Sequence, residues 1–328
     1  MFKRLAAALK LHQHLAVHVE MNVTRLEEHI FLVDVSPGGL ENFIASYVLK
    51  GKQVAIVETG PTSSVPNLLS GLEKLNVRPE DVAYVAVTHI HLDHGGGVGT
   101  LMRNLPKAKV IVHPAAAPHL VNPEKLWQQS SEVLGKEITE LYGAPEPVPA
   151  ERIIAAADGM TVDIGNNVRL RVVETLGHAS HHQSYYETFS GGIFPGDAAG
   201  IYLKDIDVVV PTIPPPFRLD ASLASLEKLI GLNPKALYYS HFGKAASAVE
   251  KLRAYANQLK LWVSIAEQGL RDKQGFEAVR DKILESDESV RKAVKYVKAH
   301  PVLRGVVFDH SVQGALKFAE KYGNVSAK

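Results

Sequence analysis

The segment Thr88-His89-Ile90-His91-Leu92-Asp93-His94 places three imidazoles and one carboxylate within six residues, and Gly95-Gly96-Gly97 follows directly. These are donors that zinc accepts, and iron or manganese as well. The segment leaves an apolar run, residues 82–87, that reads as a buried strand. If the chain stays extended, alternate side chains share a face, so His89, His91 and Asp93 converge while His94 approaches from the side at the following turn. A metal site needs further ligands, and three candidates stand at the ends of apolar runs: His178 in Thr175-Leu176-Gly177-His178, Asp197 in Phe194-Pro195-Gly196-Asp197, and His241 in Tyr239-Ser240-His241-Phe242-Gly243. The chain has no Cys, which excludes thiolate metal sites, iron–sulfur clusters, disulfides and a thiol nucleophile.

The elements that must hold these residues are legible as periodicities. Residues 17–24, 42–49 and 53–57 read as a strand meander, 66–75 as a helix with Leu68, Leu69, Leu72 and Leu75 on one stripe, and 109–113 as another strand. Residues 124–142 read as a helical insertion bounded by proline-rich segments. A second β-rich region covers 152–154, 161–164, 168–175, 183–189 and 192–194, followed by a helix over 222–230 and a last strand over 236–240. Beyond Gly243 the pattern changes to three successive helical stripes, with a further short helix near 311–322. Those stripes are too apolar for a solvated tail. Packing on the core or pairing in a homodimer is favoured for them over substrate recognition.

Composition narrows the classes. The 328 residues carry 36 Lys+Arg against 35 Asp+Glu, a net charge of +1, which argues against nucleic acid as a partner. Hydrophobic residues make up 46% and charged residues 22%, ordinary for a soluble domain, and no apolar run approaches the roughly 18 residues of a membrane span. Lys3 and Arg4 precede a short apolar patch, but Lys10 and His12 interrupt it and no small-residue cleavage site follows, so the expected address is cytoplasmic. No G-x-x-x-x-G-K-[ST], G-x-G-x-x-G or G-x-S-x-G motif occurs, which removes the usual signatures of nucleotide cradling and serine hydrolysis.

In order along the chain, from Val57-Glu58-Thr59-Gly60 to Ser240-His241-Phe242-Gly243, these residues resemble the metallo-β-lactamase superfamily. The resemblance implies an α/β fold, an αββα sandwich with the metals at one edge, residues 1–243 as the catalytic domain and 244–328 as a helical extension. It implies two divalent ions, zinc by preference with iron or manganese also suited. His89, His91 and His178 would hold one, Asp93, His94 and His241 the other, and Asp197 would bridge them. Oxygen-reducing di-iron members carry Glu where this chain has His91, and sulfur-oxidising members lack parts of the second site, so the resemblance favours a hydrolase. Its mechanism would use two cations about 3.5–4 Å apart to acidify a shared water and polarise the substrate oxygen, with Asp197 spacing the ions and Asp93 orienting the nucleophile. A small-molecule thioester, ester or lactone is the expected substrate, with a phosphoester as the alternative. A degenerate, non-catalytic binding module would lack ligands, and none is missing.

The stretch Gly177-His178-Ala179-Ser180-His181-His182-Gln183-Ser184 resembles the corresponding segment of hydroxyacylglutathione hydrolases and lactonases, with Ser180 and His181 replacing the usual Pro and Gly. His182 is expected to support the site by hydrogen bonding rather than to ligate. His181 faces either solvent or substrate. Glu58, where relatives have Asp, braces the ligand loop or points to solvent. Lactonases place a Tyr three residues after the bridging Asp, where Gly200 stands here, leaving Tyr202 as the candidate oxyanion-stabilising phenol. The run Pro214-Pro215-Pro216-Phe217-Arg218 is a stiff pocket wall, with Phe217 as a candidate substrate contact, or a plain linker.

Overall fold

A computed structural model describes residues 23–300 and 302–323. The N-terminal patch discussed above and the first part of the expected strand over 17–24 lie outside the described residues. Seven strands form one sheet in sequential order: β1 (Val23–Arg25), β2 (Ile30–Asp34), β3 (Ala45–Lys50), β4 (Val54–Val57), β5 (Val82–Ala86), β6 (Lys109–Val112) and β7 (Ile153–Ala155). The first four run antiparallel, and β4 to β7 pair in parallel. Parallel neighbours require crossovers, and these carry the helices Val65–Lys74, Val98–Asn104 and the helical insertion. The second sheet has the order β15-β14-β11-β10-β9-β8. Its members are β8 (Thr161–Asp163), β9 (Arg169–Glu174), β10 (Gln183–Glu187), β11 (Gly192–Phe194), β14 (Ala236–Tyr239) and β15 (Gly243–Ala245). A short hairpin, β12 (Ile201–Leu203) with β13 (Val208–Val210), stands apart from both.

Strand alternation divides the apolar residues between two clusters. Tyr47, Leu49 and Val57 of the first sheet meet Leu170, Val172 and Tyr185 of the second in the space between the sheets. Their neighbours Val48, Ile56 and Val173 point outward and join the helices in the larger cluster. The architecture is the expected α/β sandwich with a C-terminal helical region. Strand β2 was not expected, because Phe31, Leu32 and Val33 are consecutive apolar residues without alternation. The structure explains them: Leu32 faces the other sheet while Val33 packs under the helix Val65–Lys74, so both faces are buried.

The expected helical insertion consists of two helices, Glu124–Leu134 and Lys136–Tyr142, parted at Gly135, which has φ +78°. The C-terminal region is Ala248–Arg271, Phe276–Ser286, Glu288–Ala299 and Leu303–Tyr322, so the last helix is 20 residues long instead of the short one expected over 311–322. Leu252, Leu259 and Trp262 of the first helix belong to the same cluster as Leu226 and Leu229 of the helix Leu219–Gly231. Buried Asp287 caps Glu288–Ala299 through the Val290 N–H at 3.1 Å and accepts from the Trp262 Nε1–H at 2.8 Å, tying two of the helices together.

Candidate metal centre

Beyond β5 the chain does not stay extended. The His94 and Gly95 N–H groups both donate to His91 O, at 3.0 and 2.9 Å, and Leu92–Gly95 forms one helical turn. This corrects the expectation that His89, His91 and Asp93 share one face. The turn separates them, sending Asp93 and His94 to a second group of ligands. Gly97 makes that turn packable, since a Cβ there would lie 3.0 Å from both Gly60 O and Pro61 O.

Three groups of donor atoms result: His89, His91 and His178; Asp93, His94 and His241; and His89, His94 and Asp197, each with its ligand atoms within 4.8 Å of one another. His91 Nδ1 stands 2.9 Å from His89 Nε2 and 3.1 Å from His178 Nε2. On the other side, Asp93 Oδ2 is 3.4 Å from His241 Nε2 and 3.9 Å from His94 Nε2. Asp197 lies between, with Oδ2 3.5 Å from His178 Nε2 and Oδ1 3.3 Å from His94 Nε2 and 3.9 Å from His241 Nε2. Donors about 2.0–2.1 Å from one tetrahedral ion stand roughly 3.4 Å apart, so the spacings suit metal ligation.

Hydrogen bonds on the far side fix the rings. His178 Nδ1–H donates to Thr212 O at 2.8 Å and His241 Nδ1–H to Phe43 O at 2.9 Å, leaving each Nε2 as the free lone pair. His89 Nδ1 pairs with Thr88 Oγ1 at 3.0 Å. A second chain of bonds holds Asp197. Ser184 Oγ donates to Pro195 O at 3.1 Å and pairs with Thr175 Oγ1 at 2.9 Å, Thr175 Oγ1 contacts His182 Nδ1 at 2.9 Å, and His182 Nε2 accepts the Asp197 N–H at 3.2 Å. Gly196 is needed there, because it has φ +53° and a Cβ would meet Thr88 Oγ1 at 2.5 Å and His182 Nε2 at 2.7 Å.

The electrostatics call for a cation. Burial, reinforced by neighbouring imidazoles, pushes His89 well below the usual range and His91 down to about 3, so both rings are neutral with lone pairs available. Burial acts upward on Asp93 and Asp197, but His94 and its companion imidazoles outweigh it, bringing Asp93 to about 2 and Asp197 well below the usual carboxylate range. Burial acts downward on His94, yet Asp197 and Asp93 together raise it well above the imidazole range. His94 Nδ1 and Nε2 and Asp197 Oδ1 are buried without a hydrogen-bond partner. Such atoms are costly unless a ligand completes them. The residues present therefore fit divalent metal ions.

The other expected residues fall out as follows. Glu58 is buried, with Oε1 3.6 Å from His94 Nδ1 and accepting from Thr88 N at 3.3 Å and Ser240 Oγ at 3.4 Å, so it braces the ligand loop. His182 is the support just described. His181 is half-buried beside the ligands, its ring centroid 5.9 Å from that of His91, and burial, helped by His178, lowers it to about 4. Tyr202 is a correction: its hydroxyl donates to Asp207 Oδ1 at 2.7 Å in the β12–β13 hairpin, and its ring stacks on Tyr239, so the phenol is committed to the hairpin. Phe217 is buried against the last helix, 5.8 Å from Phe318 between ring centroids. Sequence reasoning missed the carbonyls of Phe43 and Thr212, which no side chain announces. It also missed Tyr142 at the end of the insertion, a buried phenol raised by burial and by the nearby Asp93 and Asp197 charges.

A sequence profile of the Metallo-beta-lactamase superfamily matches residues 40–241, which include every ligand candidate. The metallo-beta-lactamase fold-containing protein ST1585 of Sulfurisphaera tokodaii is 29% identical over 226 residues, covering 67% of this chain and 81% of that protein. Its crystal structure superposes with a TM-score of 0.60 at 26% identity over 70% of this chain and 86% of that one. The probable metallo-hydrolase YqjP of Bacillus subtilis is 26% identical over 165 residues, 46% of this chain and 51% of that protein, so the match spans about half of that relative. A metallo-beta-lactamase family protein of Thermus thermophilus shares the fold at a TM-score of 0.62 and 22% identity, over 85% of this chain and 89% of that one.

Proposed function

Given that the chain belongs to the metallo-beta-lactamase superfamily, we propose that it is a metal-dependent hydrolase with two divalent ions, zinc by preference, acting on a small-molecule thioester, ester or lactone. The observation that carries this reading is the placement of Asp197, whose two carboxylate oxygens face two different sets of imidazoles. One set is His89, His91 and His178, and the other is His94 and His241 with Asp93. When bound, the ions supply Lewis-acid charge and acidify water at neutral pH.

The chain's own residues do the remainder. Asp197 holds the two sets at fixed spacing, and the His182–Thr175–Ser184 hydrogen bonds keep its backbone in register. Asp93 is the most exposed of the two carboxylates, its side chain 24% accessible against 6% for Asp197. Its outer face is therefore where an incoming water donates a hydrogen bond and is oriented for attack. Glu58, buried behind His94, holds that ring toward the site. A low net charge supports a small molecule over nucleic acid as the partner.

Metal analysis of the purified protein, coupled to a hydrolysis panel of thioesters, lactones and phosphoesters, tests the reading. The expected result is about two ions per chain and chelator-sensitive cleavage of acyl substrates. A single ion in an active protein with His94 and His241 dispensable overturns the two-ion centre. Cleavage confined to phosphoesters overturns the acyl assignment.

A further inference from the structure

The carbonyls that orient His178 and His241 belong to Thr212 and Phe43, and both lie in irregular backbone outside any strand or helix. Residues 211–216 read Pro-Thr-Ile-Pro-Pro-Pro, so only Thr212 and Ile213 carry a backbone N–H and the segment has little with which to join a strand ladder. Something outside it must hold Thr212 O in place.

The last helix, Leu303–Tyr322, supplies that hold. Ser311 is fully buried at mid-helix. Its Oγ accepts the Ile213 N–H at 3.0 Å and donates to Pro211 O at 3.2 Å, so it grips the residues on both sides of Thr212. Gly314, three residues on and therefore on the same face, brings the helix backbone against the segment, since a Cβ there would run into Ile213 O. Both residues are poor choices for a helix interior, Ser because its hydroxyl competes for backbone groups and Gly because of its conformational freedom. The segment they meet explains their placement on one face, and helix formation does not.

The start of the same helix reaches Phe43. His300 Nδ1 accepts the N–H groups of Val302 and Leu303, each at 3.2 Å, and the His300 ring centroid lies 4.4 Å from that of Phe43. The Phe43 ring is in turn centred 5.2 Å from the His241 ring, and its carbonyl accepts the His241 Nδ1–H. One helix thus fixes both acceptors, Thr212 through hydrogen bonds to its neighbours and Phe43 through ring packing. An imidazole whose Nδ1–H loses its fixed acceptor is free to rotate, which for His178 carries Nε2 away from its place 3.1 Å from His91 Nδ1.

We propose that the last helix is a clamp for the ligand imidazoles, with Ser311 the positioning residue for His178 in one ligand set and His300 the positioning residue for His241 in the other. The proposal rests on the metal-centre reading above and makes the helical extension part of what holds that centre in shape.

The test uses the full-length protein, first metal-free and then titrated with cobalt. In metal-free protein with 15N-labelled histidine, the Nδ1–H protons of His178 and His241 are read by NMR hydrogen exchange. Ser311→Ala is expected to speed exchange at His178 about tenfold or more and leave His241 unchanged. Ser311→Cys, whose thiol is a weaker partner, should give a smaller shift in the same direction. His300→Asn, whose side-chain oxygen can still accept at the helix start while the ring is lost, is expected to do the reverse. Ile283→Ala, a cavity elsewhere in the extension, is expected to single out neither proton. In the cobalt titration Ser311→Ala and His300→Asn are each expected to bind about tenfold more weakly, with an altered visible spectrum, while Ile283→Ala binds as the parent does. Equal acceleration at both protons in all variants, or no acceleration, overturns the clamp, as does selective exchange with unaltered cobalt affinity. A parent protein that binds no cobalt overturns the metal centre, and proton exchange alone then decides the clamp. Selective effects on exchange and affinity without cleavage of any panel substrate support the clamp and overturn the hydrolase reading.

Discussion

Asp197 illustrates how one carboxylate can do what no neighbouring side chain can replace. Its oxygens are divided between His178 on one side and His94 and His241 on the other, and its Oδ1 is buried without a hydrogen-bond donor. Replacing it with Ala removes the carboxylate whose two oxygens face both sets, so metal content is expected to fall and turnover to drop by orders of magnitude. His181→Ala, which removes a ring beside the site but no ligand, is expected to cost much less. Metal analysis and kcat for the two variants check this, and near-normal turnover with full metal content in Asp197→Ala would show that the bridge is wrongly assigned. Thr175 acts one step further out, by fixing the His182 ring that accepts the Asp197 N–H. Thr175→Val keeps the shape but leaves His182 Nδ1 and Ser184 Oγ short of a partner. The expected outcome is a loss of about 1–3 kcal/mol in unfolding free energy and metal affinity weakened about 10–100-fold, read by denaturant titration and chelator competition.

Elements contribute to the site in ways their sequence position hides. The C-terminal helices pack through Leu252, Leu259 and Trp262 on the rest of the fold, and the ring of His300, just past the helix Glu288–Ala299, lies tilted with its centroid 4.4 Å from that of Phe43, whose ring centroid lies 5.2 Å from that of His241. Truncation after Gly243 strips that cover from Leu226, Leu229 and the β12–β13 hairpin. The expected product is aggregated or strongly destabilised protein, measured by solubility and thermal unfolding; a soluble truncation with normal metal content and only weakened substrate affinity would make the extension a recognition element alone. Trp262→Ala tests the same packing with less damage. The side chain is fully buried and its Nε1–H serves Asp287, so a loss of about 3–5 kcal/mol is expected, with little change in kcat for protein that remains folded.

For the molecule as a whole, the proposed metal binding couples to stability. The seven candidate ligands come from four places in the chain, residues 89–94, His178, Asp197 and His241, which the unfolded chain does not hold together. At free metal a hundredfold above its Kd, a single site adds about 2.7 kcal/mol to stability. Chelator-treated protein is therefore expected to melt well below the loaded protein, with zinc restoring the transition in a concentration-dependent way. Identical melting curves with and without metal would mean that the ligand cluster is not a metal site. Among the described residues no helix is long and apolar enough to cross a membrane.

What the sequence determined by itself was the set of candidate metal donors and the family of folds. His89, His91, Asp93 and His94 are adjacent in the chain, and His178, Asp197 and His241 each end an apolar strand, so donor identity and strand-end placement are local properties that spacing records. Alternation in β3 and β9 and the stripe in Val65–Lys74 likewise follow from the period of the element and one buried face. Tertiary structure decided what depends on partners distant in sequence. The turn at His91 parted Asp93 from His89, Asp207 captured the Tyr202 hydroxyl, and Glu58 was buried behind His94 instead of facing water. Phe43 and Thr212 entered the site through backbone carbonyls, which every residue possesses and no sequence pattern distinguishes. Ser311 meets Pro211 and Ile213 across 100 and 98 residues of chain, because a contact between packed elements is a property of their arrangement and not of any one of them.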